Sequence, residues 1–222
     1  MRIMAPVTER VLLQQFAKAP EPGRVKTRML PQLSALEACA LHEELVRWTC
    51  ATLLESALGA VELWVAGDPA HAVFRHCASP GQLALRQQVG ADLGRRMQHA
   101  LNDGLARADR VLLVGSDCPA LCRGYLQQAL TALNDADLVL GPALDGGYVL
   151  IGARRPVDAV FVDIGWGGSA VLAETLARAL TAGISVTRLQ SLQDIDRPED
   201  LRHWRALRDG RGSGGRCSGS FP

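Results

Sequence analysis

The chain has 222 residues, 48% of them hydrophobic. That suffices for one sizeable α/β core, falls short of two comfortable domains, and excludes a wholly disordered chain. Twenty-four Lys and Arg stand against 23 Asp and Glu, a balance that argues against nucleic acid or an acidic membrane as the main partner. No apolar run reaches the ~18–20 residues of a membrane span. The opening MRIMAPVTER lacks the apolar centre of a signal peptide, so the cytoplasm is the expected location. The six cysteines form no CxxC pair and match no zinc-finger spacing. They read as reduced, mostly buried thiols.

Residues 1–9 are expected to be loose, 10–209 to form one domain, and the Gly/Ser-rich tail 210–222 to be disordered. Within the domain, short apolar runs alternate with longer helical patterns. Strands are predicted at 11–16, 61–66, 84–88, 111–115, 137–141, 147–152 and 184–189. Helices are predicted at 33–58, 92–107, 122–134, 169–182 and 198–208. Ser34 and Glu37 have capping-box spacing, and Ser169 and Asp92 stand where helix caps belong. Alternation of this kind predicts a mostly parallel sheet with helices on both faces, a Rossmann-like three-layer sandwich.

The first strand leads into FAKAPEPGRVKTR, residues 16–28. This connection holds Lys18, Arg24, Lys26 and Arg28 at the carboxyl edge of a strand, where open α/β sheets bind ligands. Gly23 permits close backbone approach, and the cations, with Thr27, suit a diphosphate. The run VLLVGSDCPAL then delivers Asp117 to the end of a buried strand. An acid there reads as a ligand to Mg²⁺ or Mn²⁺, which favour carboxylate and phosphate oxygens; the alternative is a cap for the helix near residue 122. Cys118 has no evident base beside it.

Asp145-Gly146-Gly147 reads as a tight turn between two strands, and with Tyr148 it is a candidate contact for substrate or acceptor. Trp166, ahead of two glycines, is either a sugar-stacking residue or a packing anchor. Asp194 and Asp196 share one side of an extended segment. Asp194 is the better candidate metal ligand, and Asp196 reads as the cap of the helix opened by Pro198. The three-glycine dinucleotide fingerprint is absent, which argues against a Rossmann dehydrogenase.

Taken in order, FAKAPEPGRVKTRML, GADLGRRM, GSDCPAL, GPALDGGYVLIG, the Trp166 segment and DIDRPEDL resemble the bacterial DUF2064 family. That family is also described as radical-SAM/selenodomain-associated transferase 1, and it is assigned to the GT-A glycosyltransferase superfamily. The resemblance covers residues 10 to 208. It implies a nucleotide-diphospho-sugar transferase fold, in which a divalent cation bridges the nucleotide diphosphate and an acid at the position of Asp117. Lys26-Thr27-Arg28 is similar to the Lys-Ser/Thr-Arg signature of small nucleotidyltransferases. The chain departs from the paired-acid DxD motif of many GT-A enzymes, reading Ser116-Asp117-Cys118, and it lacks the Gly-rich loop of molybdenum-cofactor nucleotidyltransferases.

The leading expectation is therefore glycosyl transfer from a nucleotide sugar. Lys18, Lys26 and Arg28 would hold the diphosphate, Asp117 the cation, and Asp145 the acceptor as base or hydroxyl ligand. The alternative is nucleotidyl transfer from a nucleoside triphosphate to a small phosphorylated acceptor with release of pyrophosphate. A third class is a binder that keeps the fold without turnover.

Overall fold

In the computed structural model, which describes residues 9–78 and 83–212, seven strands form one sheet. They are β1 (Val11–Lys18), β2 (Ala60–Ala66), β3 (Ala84–Gln87), β4 (Arg110–Val114), β5 (Leu138–Pro142), β6 (Tyr148–Ala153) and β7 (Val186–Arg188). Their order is β3-β2-β1-β4-β6-β5-β7. All pairings are parallel except those of β6, which runs against both β4 and β5. Asp145-Gly146-Gly147 is the turn that lets β6 reverse beside β5, as its composition predicts.

The described residues also form six helices, α1 (Ala35–Ser56), α2 (Ala72–Cys77), α3 (Leu93–Leu105), α4 (Arg123–Ala132), α5 (Val171–Thr181) and α6 (Leu201–Gly212); α6 packs on α1 rather than on the sheet. The strands read as near-continuous apolar runs because both faces are buried. Leu12, Val111, Leu113 and Ile151 pack on one face with Met97 and Leu101 of α3. Their neighbours Leu13, Leu112, Val114 and Leu150 pack on the other with Leu53 of α1 and Leu126 of α4. This alternation gives the expected three-layer α/β sandwich.

The Ser34–Glu37 capping box is formed, and Asp92 caps α3 by accepting from the Arg95 N–H. Two predicted caps differ. The residue before α5 is Ala170, so Ser169 is not its cap. Asp196 does not cap either: a single 3₁₀ turn at Pro198–Asp200 precedes α6, and the Asp200 carboxylate takes the N–H groups of Asp196 and Arg197. The short α2 was not predicted, since six residues give too little periodicity. Helix α6 runs through Gly212, so residues 210–212, expected in the tail, are helical. Residues 1–8 and 213–222, including Cys217, lie outside the described residues. Among the described residues, no helix is long and apolar enough to cross a membrane, and the five described cysteines are free thiols.

Gly146 is fixed by packing. Its φ is +93°, and a Cβ there would stand 2.0 Å from the Ser169 carbonyl oxygen. Its own carbonyl accepts the Leu172 N–H at 2.9 Å, tying the β5–β6 turn to the first turn of α5. Gly146→Ala should therefore cost about 2–4 kcal/mol and lower the melting temperature by roughly 4–16 °C in thermal unfolding. An unchanged Tm would contradict this packing.

Candidate active site

The sheet order changes direction between β1 and β4: the chain moves outward from β1 through β2 to β3, then returns to β4 on the other side. Such a switch point leaves a crevice beyond the carboxyl ends of the two strands, because the flanking connections diverge to opposite faces. The cationic loop leaves the end of β1, and Gly115-Ser116-Asp117 leaves the end of β4. The two motifs that the sequence singles out thus meet at one crevice.

Their contact is direct. Lys26 Nζ lies 2.8 Å from Asp117 Oδ1 and donates to the Ile195 carbonyl at 2.5 Å. The Lys26 side chain is only 3% exposed, whereas that of Asp117 is 46% exposed. Asp117 Oδ1 is shut away from solvent, so its accessible surface belongs to the rest of the side chain. Burial pushes the Asp117 carboxyl up, but Lys26 and His42 outweigh it and hold the group below the usual carboxylate range. Lys26 sits in the left-handed region, φ +50°, which is unfavourable for a residue with a Cβ and persists only where surroundings enforce it. Here the enforcing contacts are Asp117 and Ile195.

Several residues that sequence reasoning passed over build this corner. Ser116 donates to the Phe16 carbonyl at 2.8 Å, and Gln15 Nε2 donates to Ser116 Oγ at 2.9 Å, stitching β1 to the end of β4. The His42 ring on α1 hydrogen-bonds the Lys18 carbonyl at 2.9 Å, and burial lowers its pKa. Ile195 N–H donates to the Asp117 carbonyl at 2.8 Å, so the 192–196 segment holds both members of the ion pair. Buried polar residues on β1 and α1, and Ser116 just past β4, are the signal that could have marked this network, since a buried Gln or His must find partners.

The other cations of the loop differ from Lys26. Lys18, Gly23, Arg24, Thr27 and Arg28 are exposed. Lys18 donates to the Arg24 carbonyl at 2.9 Å, Arg24 pairs with Glu21 at 3.1 Å, and Arg28 pairs with Asp196 at 2.5 Å. Predicted as a helix cap, Asp196 instead supplies the counter-charge of Arg28.

Asp145 and Asp194 join Asp117 around a hollow of about 160 Å³. A second hollow of about 190 Å³ adjoins it, where Asp145 and Asp194 reappear with Arg28 and Asp196. Asp194 and Asp196 therefore do open on one side, as their spacing predicts. A larger hollow of about 340 Å³ lies between the loop and α1, lined by Pro20, Pro22, Glu43, Arg47 and His71 among others, and it contains none of the predicted site residues.

Tyr148 and Trp166 have packing roles. Tyr148 lines the smaller hollow, but its ring packs on the core and its hydroxyl is buried without a hydrogen bond, close to Thr175. The Trp166 ring stacks on Phe161 with centroids 6.3 Å apart and covers Gly94, where a Cβ would come within 2.4 Å of the indole. Cys118 is buried, and burial pushes its thiol up to about 12, which leaves it a poor nucleophile.

Among the described residues, no group of three or more His, Cys, Asp and Glu side chains is arranged to hold a metal ion. Asp117 and Asp194 on one hollow offer hard oxygens, which suit a divalent cation only if it draws the rest of its shell from water and substrate phosphates. Asp194 shows the unbalanced charge: burial, then Asp145, raises its pKa to about 6.

Residues 49–168 match the model of a family described as uncharacterized proteins conserved in bacteria, DUF2064. The chain belongs to this family. A crystal structure from Desulfovibrio desulfuricans, of a provisionally named nucleotide-diphospho-sugar transferase, is similar with a TM-score of 0.82 and 32% identity over 96% of this chain and 92% of that one. The fold is thus that of the nucleotide-diphospho-sugar transferases. A 2-phospho-L-lactate guanylyltransferase from Methanopyrus kandleri is 38% identical over 97 residues, 40% of this chain. The chain spans less than half, 46%, of that curated relative. The 4-diphosphocytidyl-2C-methyl-D-erythritol synthase of Anaerococcus prevotii shares the fold at 11% identity, with a TM-score of 0.61 over 90% of this chain and 96% of that one.

The raised Asp194 carboxyl gives a pH test. Above about pH 6 the folded protein must hold this group charged against burial and Asp145. Its contribution therefore favours folding less as pH rises from the ordinary carboxylate value through about 6, since the folded state binds the proton more tightly. Asp194→Asn should raise the Tm by roughly 2–5 °C at neutral pH and leave it unchanged near pH 3, where the carboxyl is protonated in both states. A variant that melts lower at neutral pH would contradict the assignment.

Proposed function

We propose that this protein is a nucleotidyltransferase that joins a nucleoside triphosphate to a small phosphorylated acceptor and releases pyrophosphate. The observation that carries this reading is the meeting of Lys26-Thr27-Arg28 with a single strand-end acid, Asp117, at the switch point of the sheet. Glycosyl transfer, the leading expectation from sequence, has weaker support. Its paired-acid motif is lacking: the positions two residues before and after Asp117 are Gly115 and Pro119. The similarity to a guanylyltransferase favours nucleotidyl transfer as well.

In this reading an oxygen of the acceptor phosphate forms a bond to the α-phosphorus. The bond from that phosphorus to the bridging oxygen breaks, and the oxygen leaves with its electron pair on pyrophosphate. No proton has to move if the acceptor phosphate is dianionic. The exposed Lys18, Arg24 and Arg28 meet the charge of the β- and γ-phosphates, which is where pre-organised cations lower the barrier. Lys26 works from behind, keeping Asp117 ionised and turned so that its accessible oxygen faces the hollow. A Mg²⁺ or Mn²⁺ ion held by Asp117 and Asp194 would supply further neutralisation of the phosphates.

Incubation with each nucleoside triphosphate, Mg²⁺ or Mn²⁺ and a panel of phosphorylated acceptors should release pyrophosphate; incubation with nucleotide sugars should release no nucleoside diphosphate. Diphosphate release without pyrophosphate would overturn the reading in favour of glycosyl transfer. Asp117→Asn keeps an oxygen for Lys26 and should lower kcat/KM by ~10²-fold or more; wild-type turnover in this variant would remove Asp117 from the chemistry.

A further inference from the structure

The walls of the two hollows restrict which acceptor fits them, a question that rests on the nucleotidyl-transfer reading and goes beyond it. Most of the charged groups there already have partners in the chain. Lys26 is held by Asp117 and Ile195. Arg28 is held by Asp196. Asp200 accepts the N–H groups of Asp196 and Arg197 and the side-chain amide of Gln193 at 2.7–3.0 Å. Arg197 lines only the outer hollow, beside Asp196 and Asp200.

Two carboxylates remain. Asp145 and Asp194 each line both hollows, and neither has an ion pair among the described residues. Asp145 uses one oxygen to accept the Gly147 N–H at 3.0 Å, which fixes the carboxylate on its turn and leaves the other oxygen unassigned. Asp194 is also a candidate for the divalent cation, whereas Asp145 stands at the junction of the two hollows and is exposed. The turn that carries it is anchored to α5 through Gly146, so the carboxylate is pre-positioned rather than floating on a loop.

We infer that Asp145 selects an acceptor whose body is a neutral, hydroxyl-bearing chain, a phosphorylated polyol or sugar, and rejects one that bears a carboxylate. A fixed carboxylate accepts charge-assisted hydrogen bonds from hydroxyls. An acceptor carboxylate in the same place would meet the like charge of Asp145 and would lose hydrogen bonds besides. A pocket built this way differs in kind from one that takes a phosphorylated carboxylic acid.

A matched pair of probes isolates the effect. Glycerol 3-phosphate and 3-phosphoglycerate differ at one carbon, a hydroxymethyl group against a carboxylate. Their affinities for the full-length protein are measured by calorimetry with Mn²⁺ and a non-hydrolysable nucleotide triphosphate, and pyrophosphate release is followed separately with natural nucleotides. Wild type should bind the polyol at least tenfold more tightly. Asp145→Asn keeps the oxygen that receives the Gly147 N–H, so it should fold and melt as wild type, and it should reduce that ratio to threefold or less. Equal affinities, a preference for 3-phosphoglycerate, or a ratio unchanged in Asp145→Asn would overturn the inference. The two arms separate the claims. Selective binding without pyrophosphate release would sustain the acceptor class and refute nucleotidyl transfer; pyrophosphate release with a reversed preference would do the opposite.

Discussion

The ion pair between Lys26 and Asp117 is the contact on which the candidate site depends. It joins the loop after β1 to the end of β4 across the switch point of the sheet, and Ile195 closes it from a third direction. A buried lysine without a counter-charge is costly, because its solvation is lost and nothing replaces it. The loop can therefore hold its left-handed turn at Lys26 only while Asp117 and the 192–196 segment are in place. One contact thereby couples three parts of the chain that are distant in sequence.

This arrangement divides the cations of the loop into two kinds. Lys26 faces inward and sets an acid; Lys18, Arg24 and Arg28 face outward, where an anionic ligand can reach them. The exposed ion pairs Arg24–Glu21 and Arg28–Asp196 are weak in water, so a polyphosphate can displace or share them at little cost. The carboxylates follow a similar division. Asp117 and Asp196 are matched by cations, while Asp145 and Asp194 are left facing a small hollow. Unmatched acids beside the exposed Arg28 in one hollow suit a substrate that is anionic at its phosphates and uncharged beyond them.

Much of the fold was legible because its signals are local. Apolar runs marked all seven strands, the Ser34–Glu37 spacing marked the start of α1, and Asp145-Gly146-Gly147 marked the reversal into β6. The positions of Lys18 and Asp117 were legible too, since Lys18 ends β1 and Asp117 comes soon after β4. What sequence could not supply was partnership. Lys26 read as one more phosphate ligand, and only the tertiary structure turns it toward Asp117. Asp196 fitted a cap ahead of Pro198, but Asp200 reached the same N–H groups and left Asp196 to Arg28. Trp166 was balanced between stacking on a ligand and packing; a glycine at position 94, far away in sequence, makes room for the indole against α3. Long-range choices of this kind carry no periodic trace.

The most direct test of the central claim is a crystal structure with a non-hydrolysable nucleoside triphosphate and Mn²⁺. The account predicts phosphates against Lys18, Arg24 and Arg28, and an anomalous Mn²⁺ peak between them and the accessible oxygen of Asp117. Phosphates bound in the hollow lined by Pro20, Glu43 and His71 instead, with Asp117 making no contact to ligand or metal, would contradict it.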